Sequence, residues 1–374
     1  MSSNLQVKLK EFAELVNQPY QPSSDENLNY IGLEHIEQQT LRLNGIGNSS
    51  DVISQKHKFK AGDILFGKLR PYFRKVVRPS FNGVCSTDIW VVRAKPGFDQ
   101  SFLFYFLANQ RFIDACNSSS SGTRMPRADW NHLSETLWEL PSLPEQKSIA
   151  EILSALDDKI ELNRQTNATL EAIAQAIFKE WFVDFNYPGA TGELVESPLG
   201  PIPKGWHAGT VGDAVKRVSA GKIYNFKSSL PSGDVPILDQ AHFSIIGYHN
   251  ESAGVTASIE KPVIVFSNHR CYTDLIQFPF SAIQNVLPFI GNQVDTRWLY
   301  HATDGIITYS EYKGHWPEFV SKLFLIPPFT ITKMYGDLVK PAQVLKMENL
   351  RESQVLAEQR DTLLPKLISG EIEI

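Results

Sequence analysis

The chain has 374 residues, of which 42% are hydrophobic and 21% charged, with a formal net charge of −5. That length allows two or three domains with their own cores, and the acidic balance excludes a binder of nucleic acid that works by basic bulk composition. No apolar run reaches the length of a membrane span and the N-terminus lacks a signal-peptide core; three cysteines without a CxxC pair fit a cytoplasmic protein with neither a disulfide framework nor a zinc ribbon.

Residues 1–140 read as a first α/β domain. GDILF (62–66) has the composition of a buried strand. The densest basic run of the chain spans Lys56 to Arg78, with eight Lys/Arg against Asp63 alone. Within it Lys56, Lys58, Lys68, Arg70, Arg74, Lys75 and Arg78 interleave with Tyr72 and Phe73. Cations of this kind serve phosphates, and forked donors such as Arg serve base edges. A basic face that only meets solvent has the same composition. The segment SSSSGTRMPR (118–127) adds hydroxyls, among them Thr123, together with Arg124 and Arg127.

Residues 141–185 predict one long helix. Ser142-x-x-Glu145 fits a capping box, with Pro144 in the tolerant first turn. A 4-3 rhythm follows through Ile149, Leu153, Leu156, Ile160, Asn163, Asn167, Leu170, Ala174, Ile177 and Trp181. This is a coiled-coil seam with two Asn that fix register, although an amphipathic helix lying on an ordinary core shares the pattern. About 40 helical residues span ~60 Å, against ~34 Å for one turn of DNA, so the helix can serve as a spacer between two reading sites. Residues 141–187 hold four Lys/Arg against eight Asp/Glu, and an acidic rod should not lie along phosphates. Phe178, Trp181 and Phe182 either anchor a partner subunit or pack into their own domain.

Residues 186–206, rich in Pro and Gly, read as a connector without regular structure. Residues 207–326 read as a second domain. Its candidates for nucleic-acid contact are Lys222, Tyr224, Lys227, His269, Arg270, Tyr272 and Lys313. Residues 327–374 predict a second long helix without a matching capping box. Pro341 is expected to interrupt its start and Pro365 its end, and its seam carries Lys346, Asn349, Ser353 and Arg360.

The chain repeats itself. An offset of 186 places Trp130 on Trp316, Pro141 on Pro327, Leu153 on Val339, Asn163 on Asn349 and Trp181 on Leu367. Upstream the offset drifts: 98–107 matches 294–303 through Asp99 and Asp295, and GDILF resembles PVIVF (262–266). Two equivalent halves related by a pseudo-two-fold would set the long helices antiparallel.

Catalytic motifs are weak. In Ile326-Pro327-Pro328-Phe329 the Ile cannot accept a hydrogen bond from a target amine, so the tetrapeptide reads as a turn that starts a helix rather than a methyltransferase motif. Glu311-Tyr312-Lys313 with Asp295 or Asp304 is a faint nuclease pattern. No two His stand three to five residues apart, so a metal site built on local His spacing is not expected.

Four stretches carry a family resemblance: LPSLPEQKSI (140–149), FKEWFVDF (178–185), LGPIPKGW (199–206) and LLPKLISGEI (363–372). With GDILFGKLRPYFRKV (62–76), the chain resembles the specificity subunits of type I restriction–modification systems over almost its whole length. The resemblance implies an α+β protein in which two long antiparallel helices form a coiled-coil spacer between two target recognition domains. It implies a non-catalytic subunit that reads a bipartite sequence in double-stranded DNA. Two methyltransferase subunits and, through them, restriction/translocase subunits are the implied partners. No cofactor is implied in this chain; S-adenosylmethionine, ATP and Mg2+ belong to those partners. Two other readings use the same residues: a stand-alone nuclease or methyltransferase, and a scaffold that binds proteins rather than DNA.

Overall fold

The structure, a computed structural model, describes residues 5–23, 26–119, 125–241 and 244–372. It divides into two compact units, Met1–Asn163 with Leu350–Ile374, and Arg164–Asn349. Among the described residues no helix is long and apolar enough to cross a membrane.

In the first unit the strand Leu5–Lys8 pairs antiparallel with Leu137–Leu140, Leu5 facing Leu140. A four-stranded antiparallel sheet runs Ala13–Leu15, Ile89–Ala94, Ile64–Gly67, Val76–Val77. A five-stranded sheet runs Pro19–Tyr20, Lys56–Phe59, Gly83–Cys85, Asn29–Ile31, Gly47–Asn48. Every residue of Ile64–Gly67 is buried, which is why GDILF reads as a continuous apolar run rather than an alternating one. The core joins Phe66, Trp90, Phe106 and Trp138 to Ile149 and Leu153 of the first long helix and Leu364 and Leu367 of the second.

The second unit repeats this order. His207–Thr210 pairs with Leu323–Ile326, and a four-stranded sheet runs Val215–Arg217, Val286–Gly291, Val263–Ser267, Thr273–Ile276. A second four-stranded sheet contains Ile223–Tyr224, Ser281–Ile283, Val235–Leu238 and Ile245–His249. Equivalent side chains do equivalent work. Asp99 caps the helix Gln100–Ala108 at Phe102 N, and Asp295 caps Thr296–Thr303 at Arg297 N. Gln146 Oε1 accepts from Asp99 N at 3.0 Å; 186 residues later Thr332 Oγ1 accepts from Asp295 N at 3.0 Å. Each bond ties the capped helix of a unit to the start of a long helix.

The long helices are Leu143–Phe182 and Phe329–Ser369. Glu145 Oε2 accepts from Ser142 N at 2.8 Å, the reach-back half of the expected box. In the first unit the helices pair antiparallel: Asp157 meets Arg360, and Asn163 donates to Glu352 at 2.7 Å and Ser353 at 3.3 Å. In the second unit they also pair antiparallel: Asn167 donates to Lys346 O at 3.2 Å and accepts from Asn349 at 2.8 Å, and Tyr335 donates to Ala174 O at 3.0 Å. The Asn163–Ser353 and Asn349–Asn167 pairs are copies of one another under the 186-residue repeat. Of the seam, Ile149, Leu153, Ile160, Asn163 and Ala174 are buried, and Leu156, Asn167, Leu170, Ile177 and Trp181 half-buried. Each fully buried Leu or Ile contributes roughly 1.5–3 kcal/mol.

Two expectations are corrected, and of the two readings left open for Phe178, Trp181 and Phe182 the packing one finds support. The second long helix runs unbroken through Pro341 and Pro365. Both prolines are exposed, as are Asp337 and Asp361 four residues earlier, so water can replace the lost helical partner of each carbonyl. The connector is not structureless: Leu194–Val195 pairs with Ile202–Pro203 around a turn closed by Ser197 and Gly200, and Gly200 has φ +93°. Ile202 and Trp206 are buried in the core of the second unit. Phe182 belongs to that same core, with Phe178 and Trp181 packed against it, so these aromatics serve packing.

A buried histidine makes the second unit sensitive to acid. His301 Nδ1 lies 3.6 Å from Glu171 Oε1, whose other oxygen accepts from Lys346. Burial pushes the imidazole down to about 4, Glu171 opposing and Lys346 assisting. Below its ordinary value of 6.5 the unfolded chain binds a proton that the folded one refuses, so stability falls as pH drops from 6.5 towards 4. Urea unfolding should show a loss of about 2 kcal/mol between about pH 7 and pH 5, absent in His301→Gln. An equal loss in that variant assigns the acid sensitivity to other groups.

Candidate nucleic-acid interface

In the first unit the strands Ile64–Gly67 and Val76–Val77 are joined by residues 68–75, which contain one helical turn, Pro71–Phe73. Arg70 (φ +52°) and Arg74 (φ +49°) flank that turn in the left-handed region, which is unfavourable for any side chain with a Cβ. The loop is therefore held from outside: Arg70 N donates to Pro126 O at 2.8 Å, Gln39 N to Phe73 O at 3.2 Å and Gln39 Nε2 to Tyr72 O at 3.0 Å. Leu69 bridges to Arg127, whose Nε lies 3.3 Å from Asp88. Lys68, Arg70, Tyr72 and Arg127 thus share one end of the sheet. Tyr72 is 44% exposed, and the Nε of half-buried Arg70 has no hydrogen-bond partner among the described residues.

The rest of the basic run is dispersed. Lys56 is buried, its Nζ donating to Ser54 O at 2.7 Å and lying 5.6 Å from the Tyr30 ring centre, and burial lowers its pKa. Exposed Lys58 lies over Tyr20. Lys75 donates to Leu33 O, and burial lowers its pKa too. Arg74 is 8% exposed and pairs with Asp361 at 2.7 Å. Exposed Arg78 reaches Ser101 and covers Phe104. Lys56 and Arg74 are therefore corrected: both are interior, and neither presents its charge to a ligand. Thr123 and Arg124 lie outside the described residues.

The second unit places residues 268–272 between the equivalent strands, Val263–Ser267 and Thr273–Ile276. Cys271 takes the left-handed conformation, with φ +61°. The backbone of Asn268 accepts from His315 N at 2.9 Å, its side chain accepts from Trp316 N at 2.8 Å, and Gln240 Oε1 accepts from His269 N at 3.1 Å. His269 stands 4.7 Å from Tyr312, ring centre to ring centre, which brings Lys313 to the same end of the sheet. Lys313 pairs with Glu311 at 2.9 Å, and that hydrogen bond raises its pKa. Arg270 is exposed and Tyr272 is 47% exposed.

Lys222, Tyr224 and Lys227 lie on another element, around Ile223–Tyr224 and the turn Phe226–Ser228. Lys222 pairs with Glu251 at 2.6 Å, which raises its pKa; Lys227 is exposed. Tyr224 is buried, stacked on His249 at 4.2 Å, and is corrected to a packing role.

Both units therefore hold an Arg-x-Tyr at the same hairpin end: Arg70-Pro71-Tyr72 and Arg270-Cys271-Tyr272. The upstream carboxylates of the faint nuclease pattern, and Ile326 of the tetrapeptide, have structural roles. Asp295 is a helix cap, Asp304 accepts from Thr273 Oγ1 at 3.3 Å, and Ile326 ends a strand before the long helix. Among the described residues no group of three His, Cys, Asp or Glu stands together as metal ligands would. Tyr312, whose ring meets that of His269, is a further candidate that the sequence reading did not name, although its place beside Lys313 in an exposed loop was the available signal.

Comparison with known proteins agrees with this architecture. The family model described as type I restriction modification DNA specificity domain matches residues 2–172. The MjaIX type I restriction enzyme specificity subunit of Methanocaldococcus jannaschii is 26% identical over 307 residues, 75% of this chain and 71% of the relative. The EcoDI type I restriction enzyme specificity subunit of Escherichia coli is 32% identical over 181 residues, 46% of this chain and 40% of the relative. The crystal structure of the type I restriction–modification S subunit from M. genitalium shares the fold, with a TM-score of 0.59 at 15% identity over 98% of this chain and 96% of that one. In fold, in internal repeat and in sequence this chain is thus similar to the specificity subunits of type I restriction–modification systems, and its residues 2–172 match their DNA specificity domain.

Proposed function

We propose that each unit reads one half of a bipartite sequence in double-stranded DNA through its Arg-x-Tyr hairpin end, and that the two long helices set the gap. The observation that carries this reading is the recurrence of Arg70/Tyr72 and Arg270/Tyr272 at one topological position. Arg supplies a forked donor for guanine, and the neighbouring Tyr and Lys side chains supply contacts to the backbone. The chain itself does no chemistry in this reading: it docks two methyltransferase subunits and, through them, restriction/translocase subunits in the cytoplasm. S-adenosylmethionine, ATP and Mg2+ serve those subunits.

The test is methylation mapping of the chain co-expressed with the methyltransferase subunit of its own system in a methylation-free host. A motif of two short halves with a fixed gap is expected, and it should vanish without this chain. Arg70→Ala should relax one half and Arg270→Ala the other, each by about 1–3 kcal/mol, or roughly 5- to 150-fold in discrimination. A contiguous motif, or one unchanged when the chain is omitted, would overturn the reading.

A further inference from the structure

We infer that Arg74 and Asp361 form a latch through which the second long helix positions the reading loop of the first unit, so that Arg74 is a positioning residue. The inference rests on the reading that residues 68–75 face DNA.

Arg74 Nη2 lies 2.7 Å from Asp361 Oδ1, although the two are 287 residues apart in sequence. Asp361 is shared with the neighbouring Arg360 at 3.1 Å, and Arg360 reaches Asp157 of the first long helix at 2.6 Å. Asp157 in turn accepts from Tyr105 Oη at 2.8 Å. A chain of charge-assisted bonds thus runs from the loop through both long helices to the helix Gln100–Ala108. Charge-assisted bonds are the strong, directional kind.

The loop has reason to need such a hold. Arg74 closes the turn Pro71–Phe73 in the left-handed region, its N donating to Pro71 O at 2.8 Å, while Arg70 opens the turn in the same region. Both conformations persist only where surrounding contacts over-determine them. Arg70 and Tyr72 lie within four residues of the latch, so releasing Arg74 frees the backbone that aims them. The second unit buttresses its shorter hairpin differently, through Asn268 and residues 315–316.

The experiment is methylation mapping of the full complex with Asp361→Asn, Arg74→Ala, the double variant and Arg70→Ala. Asp361→Asn keeps the shape of the side chain and removes its charge, so the fold should survive, as thermal melting will report. Either latch variant should weaken discrimination in the first half-site alone by about tenfold, and the double variant should be no worse than the singles. Asp361→Glu should restore much of the loss. Equal weakening of both half-sites, or additive losses in the double variant, would overturn the latch. If Arg70→Ala relaxes the first half-site while the latch variants do not, the latch fails and the reading loop stands. If Arg70→Ala itself changes nothing, the reading loop fails first.

Discussion

Replacing Arg360 by alanine should destabilise the first unit by about 3–5 kcal/mol, the cost of leaving one member of a buried ion pair without its partner. Arg360 is 1% exposed, and its guanidinium spans Asp157 at 2.6 Å and Asp361 at 3.1 Å. Alanine leaves the half-buried Asp157 carboxylate without its guanidinium, with Tyr105 Oη still donating to it at 2.8 Å. The exposed pair Lys159–Glu352, at 3.1 Å on the same helices, provides the contrast. Lys159→Ala should cost less than about 1 kcal/mol, because solvent and salt already screen that attraction. Replacing Asp157 and Arg360 together by leucine should recover much of the loss, since two apolar side chains need no partner. Hydrogen exchange measured unit by unit will decide: faster exchange in residues 143–163 and 350–369 for Arg360→Ala is expected, and rates equal to those of Lys159→Ala would refute the bridge.

That contrast explains what the sequence could and could not show. The helix and its buried stripe were legible because a 4-3 rhythm held over ten positions marks one face of a helix, and the polar interruptions at Asn163 and Asn167 meet polar partners. Asp99 and Asp295 were legible as equivalents in the repeat but not as caps, although a cap is a local device settled within three residues. Arg74 was not, because its partner lies 287 residues away and nothing local separates it from Arg70. Lys56 was misread for another reason: its charge is absorbed by Ser54 and Tyr30 inside the domain, while composition shows only a basic run. The Arg-x-Tyr match recurs at an offset of 200, not 186, and became visible only when the strands around it were superposed by topology. Pro341 and Pro365 misled because proline's effect depends on which way the missing bond faces. Here both prolines are exposed.

Phe182→Ala should cost the second unit about 3–5 kcal/mol, the range for emptying a large aromatic site in a packed core. Phe182 is 6% exposed, and its ring centre lies 5.3 Å from that of Tyr335, 5.8 Å from Trp298 and 5.9 Å from Trp206. Those partners come from the second long helix, the capped helix Thr296–Thr303 and the end of the connector, so one side chain joins three segments that are remote in sequence. The melting temperature should fall by on the order of 10 °C. Trp181→Ala should cost less, because that indole is only half-buried. The distinction governs how an assembly defect is interpreted. If both variants lose the methyltransferase subunit while Phe182→Ala also melts early, the loss at Phe182 is one of folding. An unchanged melting temperature with binding abolished would return Phe182 to a docking role and remove it from the core that its neighbours define.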